Sequence, residues 1–97
     1  MYKILYTNQA KLDLEEIVNY ISKESSKGLK TFLNDYEKKI NLLKYNPKLG
    51  VECKNKNIKK DCRVLLINSY ILVYKIQNNQ ILLIRIFHSR VNYPSKI

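Results

Sequence analysis

The chain has 97 residues, 45% of them apolar and 27% charged, with only two Gly and two Pro. That is one domain with one core, too apolar for a disordered chain and too poor in Gly and Pro for a collagen-like or linker sequence. Eighteen basic residues against eight acidic give a net charge of +10, and the excess is lopsided: residues 1–37 carry five Lys and six acids, whereas residues 38–97 carry thirteen basic residues against Glu52 and Asp61, a net of +11. A field of that sign draws nucleic acid, a nucleic-acid machine or an acidic protein. A lysine-rich composition explains the total but not the asymmetry. No apolar run approaches the ~18–20 residues of a membrane span. Met1 to Tyr6 lack the basic-then-apolar layout of a secretory signal. A cytoplasmic protein with Cys53 and Cys62 as reduced thiols is therefore expected.

In chain order, Tyr2-Lys3-Ile4-Leu5-Tyr6 reads as a strand. Asn8 offers a side-chain cap to the helix that follows. There Ala10, Leu14, Ile17, Val18 and Ile21 recur at three- and four-residue steps, one apolar stripe at helical period. Asp13, Glu15 and Glu16 fall in its early turns, where the helix dipole favours negative charge. The polar stretch from Ser22 to Gly28 ends this helix. A second helix carries the stripe Leu29, Phe32, Leu33, Tyr36, Ile40 and Leu43, with Lys38, Lys39 and Lys44 toward its end. Asn46-Pro47-Lys48-Leu49-Gly50 terminates it.

Val51 to Asp61, rich in Lys and Asn, reads as a loop or a weak strand. Three apolar runs follow: Val64 to Ile67, Ile71 to Tyr74 and Ile81 to Ile84. Asn68-Ser69 and Gln77 to Gln80 separate them as turns of hairpin length. The order is β-α-α-β-β-β. The fold class is α+β, a two-helix hairpin on one face of a four-stranded, mainly antiparallel sheet, in a single domain over residues 1–97. In the last strand Ile81, Leu83 and Phe87 alternate with Leu82, Ile84 and Ile86, so both faces are apolar. Two helices cover one face only. The other is expected to be left for a partner, a second copy or the tail from Val91 to Ile97.

Several of these pieces, taken in order, resemble the RelE/ParE superfamily of toxins from type II toxin–antitoxin modules. They are Ala10 to Ile17, the Leu43 to Gly50 helix exit with its Asn46-Pro47 and Gly50, Arg63, Tyr70-Ile71-Leu72-Val73-Tyr74, and Leu83-Ile84-Arg85-Ile86-Phe87-His88-Ser89-Arg90. Each alone is weak, but their order and spacing span nearly the whole chain. The resemblance implies a basic protein that stops growth when free and is neutralised by an acidic antitoxin, which wraps it with a helix and an extended segment.

The superfamily has two activities. RelE-like members cut mRNA in the ribosome, which needs groups to deprotonate the 2′-hydroxyl, steady the phosphate and protonate the leaving oxygen. ParE-like members bind DNA gyrase. If the chain is an RNase, the candidate catalytic residues are Arg63, Arg85, His88, Arg90 and Tyr93. Each also has a plain structural reading: a surface ion pair for Arg63, pairing with a helix carboxylate for Arg85, a structural imidazole for His88 and a packing anchor for Tyr93. Candidate contacts to target or nucleic acid are Lys54, Lys56, Lys59, Lys60 and Arg63. The RelE pattern is incomplete. Ile71 stands where that branch carries an arginine, and Val64 to Leu66 where it carries paired lysines. The YoeB-like branch ends in His then Tyr, whereas Ser89 follows His88 here and Tyr93 comes five residues after it. DNA gyrase is thus the favoured target, with ribosome-dependent cleavage of mRNA as the alternative and a plain nucleic-acid-binding module behind both. No cofactor is expected. Cys53, Cys62 and His88 have no metal-ligand spacing, and there is no Gly-rich phosphate loop.

Overall fold

The computed structural model describes residues 1–56 and 61–90. The elements are β1 (Lys3–Tyr6), α1 (Asn8–Glu24), α2 (Ser26–Tyr45), β2 (Val51–Glu52), a 3₁₀ turn (Cys53–Lys56), β3 (Arg63–Ile67), β4 (Tyr70–Gln77) and β5 (Gln80–His88). The sheet has five strands in the order β1-β5-β4-β3-β2, with β1 parallel to β5 and the other pairs antiparallel. The expected α+β class holds; the added strand is β2, two residues of the Lys- and Asn-rich stretch pairing with β3.

The α1 cap is Thr7, not Asn8, which lies inside the helix. Thr7 Oγ1 accepts from Ala10 N–H at 3.0 Å and donates to the Ile84 carbonyl at 2.8 Å, so one hydroxyl both caps the helix and ties it to β5. Asn8 comes after the extended residue that a cap requires. Thr7→Ala is expected to lower stability by about 1–2 kcal/mol, and Thr7→Ser to restore most of it. Equal urea midpoints for wild type and Thr7→Ala would contradict this double role.

The helix hairpin turns on Ser25 alone rather than over Ser22 to Gly28. Ser25 is extended (φ −167°, ψ 121°), and its hydroxyl accepts from Gly28 N–H at 3.0 Å, so it ends α1 and caps α2 in one residue. Both hairpin turns are two residues long, and each opens on an Asn at φ 53°, Asn68 and Asn78, a left-handed conformation that Asn tolerates.

The helices bury Ala10, Ile17, Phe32 and Leu43 against Leu72 and Leu83 on one sheet face. Leu33, placed in the stripe by its spacing, is 43% exposed instead. In β5 the simple alternation of faces fails. Tyr74 pairs with Leu83 but Val73 pairs with Arg85, so Ile84 is an extra residue in the strand. This bulge shifts the phase by one. Ile81, Leu83 and Ile86 consequently share the helix side, and Phe87 turns to the other.

That other face is not bare. Val64, Ile71, Val73 and Phe87 are all buried, clustered with Cys53 and Cys62. The expectation that this apolar face is left over for a partner is corrected: Cys53 and Cys62, one step beyond the β2–β3 pairs, pack into a buried cluster on it. So is the expectation of two reduced thiols, because Cys53 and Cys62 are joined in a disulfide. Among the described residues, Leu66 and Val51 are exposed large apolar side chains on this side.

Candidate functional site

β1 pairs with β5 only as far as Leu83, while β5 runs on to His88. Beyond that point the β5 edge has no strand neighbour among the described residues, and its polar backbone needs partners. Thr7 takes the Ile84 carbonyl, and Asp13 of α1 takes the Ile86 N–H, at 3.0 Å to Oδ2. Asp13 also grips Arg85 with both oxygens, at 2.8 Å from Nε to Oδ2 and 3.2 Å from Nη2 to Oδ1, and accepts from Gln9 at 3.1 Å. Burial would raise the Asp13 pKa, but the hydrogen bonds from Arg85, Ile86 and Gln9, with the Arg85 charge, outweigh it and hold the carboxyl below its ordinary value. The guanidinium lies 4.6 Å from the centre of the Phe87 ring. Arg85 is thus paired with a helix carboxylate, the structural alternative its sequence setting allowed.

Beside this clasp an open apolar groove of about 680 Å³ runs between α1, the start of α2, the β3–β4 turn and the end of β5. Ile17, Tyr20, Ile21, Phe32 and Tyr70 line it, and Asp13, Glu16, Arg85 and His88 stand among them. Tyr70 meets Phe32 and His88 edge-on, with ring centres 5.4 and 5.3 Å away. Burial, with a smaller contribution from Tyr20, raises the Tyr70 pKa, so the phenol stays protonated. His88 Nδ1 accepts from Arg90 N–H at 3.1 Å, which assigns the ring proton to Nε2 when the imidazole is neutral. The Arg90 residue is exposed.

Arg63 lies elsewhere. Its Nη1 donates to the carbonyls of Gly50 at 2.7 Å and Lys48 at 3.3 Å, and its Nη2 reaches Glu52 at 3.4 Å. Lys54 pairs with the same Glu52 at 3.1 Å. Lys54, then Arg63, hold the exposed Glu52 carboxyl below its ordinary pKa. His88 pairs with Tyr70, whereas Arg63 starts β3 at the far end of the same ladder. At ~3.3 Å per residue and ~4.8 Å per strand, Arg63 and His88 are roughly 16 Å apart. The five candidates of the RNase reading therefore divide. Arg85 and His88 share the groove, Arg90 adjoins it, Arg63 sits with Lys54 at the opposite end, and Tyr93 lies outside the described residues. Lys56 is in the 3₁₀ turn, and Lys59 and Lys60 also lie outside the described residues.

Asp13 was not singled out by sequence. The available signal was an acid at the helical spacing between Ala10 and Ile17, inside the apolar stripe, matched by a lone Arg in an apolar strand. The groove itself had no local signal, since its walls come from four separate elements. Among the described residues no group of three or more His, Cys, Asp or Glu is placed to hold a metal ion, and no helix is long and apolar enough to cross a membrane.

The sequence matches the model of the ParE toxin of type II toxin–antitoxin systems, parDE, over residues 4–93. Among solved structures it is similar to the chromosomal ParDE toxin–antitoxin system from P. aeruginosa, with a TM-score of 0.68 and 18% identity, covering 91% of this chain and 96% of that one. At that identity the likeness carries the fold alone. No curated protein sequence matches. A family match over nearly the whole chain, together with two helices on a mixed sheet, makes this chain a member of the ParE toxin family, the toxin of a type II toxin–antitoxin module.

Proposed function

We propose that the protein arrests bacterial growth from the cytoplasm by binding DNA gyrase, and that an acidic antitoxin relieves the arrest. The observation that carries the gyrase reading over mRNA cleavage is the division of the polar candidates. Arg63 is held by two backbone carbonyls and Glu52, and Arg85 by Asp13. RNA cleavage needs an acid, a base and a phosphate clamp within a few ångströms of one phosphate. Binding a large target needs no such convergence, and the +11 charge of residues 38–97 favours an acidic or DNA-bound one. The apolar groove beside α1 fits the apolar face of an antitoxin element.

Purified protein should inhibit supercoiling by gyrase or trap cleaved DNA, and leave mRNA intact on ribosomes. Ribosome-dependent cleavage with untouched gyrase would give the alternative. Adding the antitoxin should restore supercoiling. Tyr20→Glu, which alters the exposed groove wall, should still inhibit gyrase but need more antitoxin for relief. An unchanged antitoxin requirement would remove the groove from the interface.

A further inference from the structure

Cys53 and Cys62 lie where the β2–β3 register runs on by one step. Val51 faces Val64 and Glu52 faces Arg63, so residue 53 falls opposite residue 62. Their Cα atoms are 5.2 Å apart, within the span a disulfide requires, and the sulphurs are bonded. Cys53 N–H donates to the Cys62 carbonyl at 2.8 Å. Both residues belong to the buried cluster of Val64, Ile71, Val73 and Phe87, at 0% and 6% exposure.

The strand that this bond anchors is only two residues long. So short a ladder holds little on its own, and the disulfide adds the rung that fixes it. The 3₁₀ turn that begins at Cys53 carries Lys54, whose ammonium meets Glu52 of β2. The bond therefore joins the second apolar cluster, the edge of the sheet and the start of the cationic stretch. In a cytoplasmic setting such bonds are usually transient or redox-sensing.

We propose that Cys53–Cys62 is a redox latch on the β2 edge. Oxidised, it holds Val51 to Lys54 against β3 and keeps the second cluster sealed. Reduced, it frees that edge and the position of Lys54. The reductant is a dithiol. One of its thiolates attacks a protein sulphur, the Sγ–Sγ bond breaks, and a mixed disulfide forms; the second thiol then displaces the protein sulphur. Two electrons and two protons pass to the protein, which ends with two thiols, and the reductant leaves as a disulfide. Because both sulphurs are buried, the edge must open before attack, which makes the reaction slower than for an exposed disulfide. The latch stands on geometry alone. Its effect on toxicity rests on the gyrase reading, with Lys54 as a candidate contact to the target.

The test compares the full chain after diamide oxidation and after native reduction with dithiothreitol. Oxidised protein should take up no alkylating label and reduced protein two. Amide exchange over Val51 to Cys53 and Cys62 to Val64 should speed at least ~10-fold on reduction, with β4 and β5 unchanged beyond the cluster. The Cys53→Ala/Cys62→Ala variant should exchange like the reduced form and ignore dithiothreitol. Equal exchange in both redox forms, or failure of the bond to form on oxidation, overturns the latch, and the wild-type comparison decides this even where the variant does not fold. Supercoiling inhibition should differ between the two forms. Changed exchange with equal potency overturns control of the target. No inhibition by either form counts against the gyrase reading, and the exchange arm still decides the latch.

Discussion

Asp13→Ala is expected to cost about 3 kcal/mol of folding stability, read as a lower urea midpoint with an unchanged slope. Asp13 is the one charged residue buried among those described, and it satisfies three groups at once: the Arg85 guanidinium, the Ile86 N–H on the open β5 edge and the Gln9 amide. Truncation leaves a guanidinium and an edge amide without their acceptor. Losing one partner of a buried pair costs about 3–5 kcal/mol, and the low end applies because the Arg85 side chain keeps 26% exposure. Asp13→Asn should cost less, since an amide oxygen can still accept from Ile86. A midpoint for Asp13→Ala within error of wild type would show that the clasp is dispensable.

The same clasp sets an acid limit. The folded-state pKa of Asp13 is lowered, so its contribution is fully present above the ordinary carboxyl value of 3.8 and is lost as pH falls through the folded pKa. The stability gap between wild type and Asp13→Asn should therefore be flat above about pH 5 and narrow below about pH 4. A gap that widens on acidification would give the opposite sign.

The fold was largely legible because the periods are clean. Ala10, Ile17 and Leu43 recur at helical steps, and the three apolar runs with their Asn turns permit little besides a meander. What failed did so for local reasons. The bulge at Ile84 is one extra residue that no alternation pattern announces, and it exchanged the faces of Ile86 and Phe87. The disulfide follows from a two-residue strand too short to detect, although Cys53 and Cys62 are equidistant from the pair Glu52 and Arg63 once that register is known. The candidate site was the least legible. The segments that carried the family resemblance prove to be joints of the scaffold. Asp13 and Arg85 come from two of them, and Gly50 and Tyr74 from two others. In this chain those segments supply residues that clasp distant elements, so resemblance identified the architecture while the groove, built from a surface shared by four elements, left no motif.

The Gly50–Tyr74 joint gives the second large effect. Tyr74 is fully buried; its hydroxyl donates to the Pro47 carbonyl at 2.7 Å and accepts from Gly50 N–H at 2.8 Å. Burial raises its pKa despite the Gly50 hydrogen bond and the Arg63 charge, so the hydroxyl stays protonated and able to donate. Tyr74→Phe leaves a backbone donor and an acceptor unpaired, for about 1–3 kcal/mol. A Cβ at Gly50 would lie 2.7 Å from the Val64 carbonyl and 2.9 Å from both the Tyr74 ring and its hydroxyl, so Gly50→Ala must push backbone apart, also for about 1–3 kcal/mol. The two losses should not add. Removing the hydroxyl gives the new methyl room on one side, and the loop displaced by the methyl no longer presents Gly50 N–H to a hydroxyl. The double variant should fall short of the sum by about 0.5–1 kcal/mol, a coupling expected of residues in contact. It should not return to the wild-type value, because the Val64 carbonyl is backbone and cannot step aside. Strict additivity in a double-mutant cycle would mean that the helix exit and β4 are held independently of this hydroxyl.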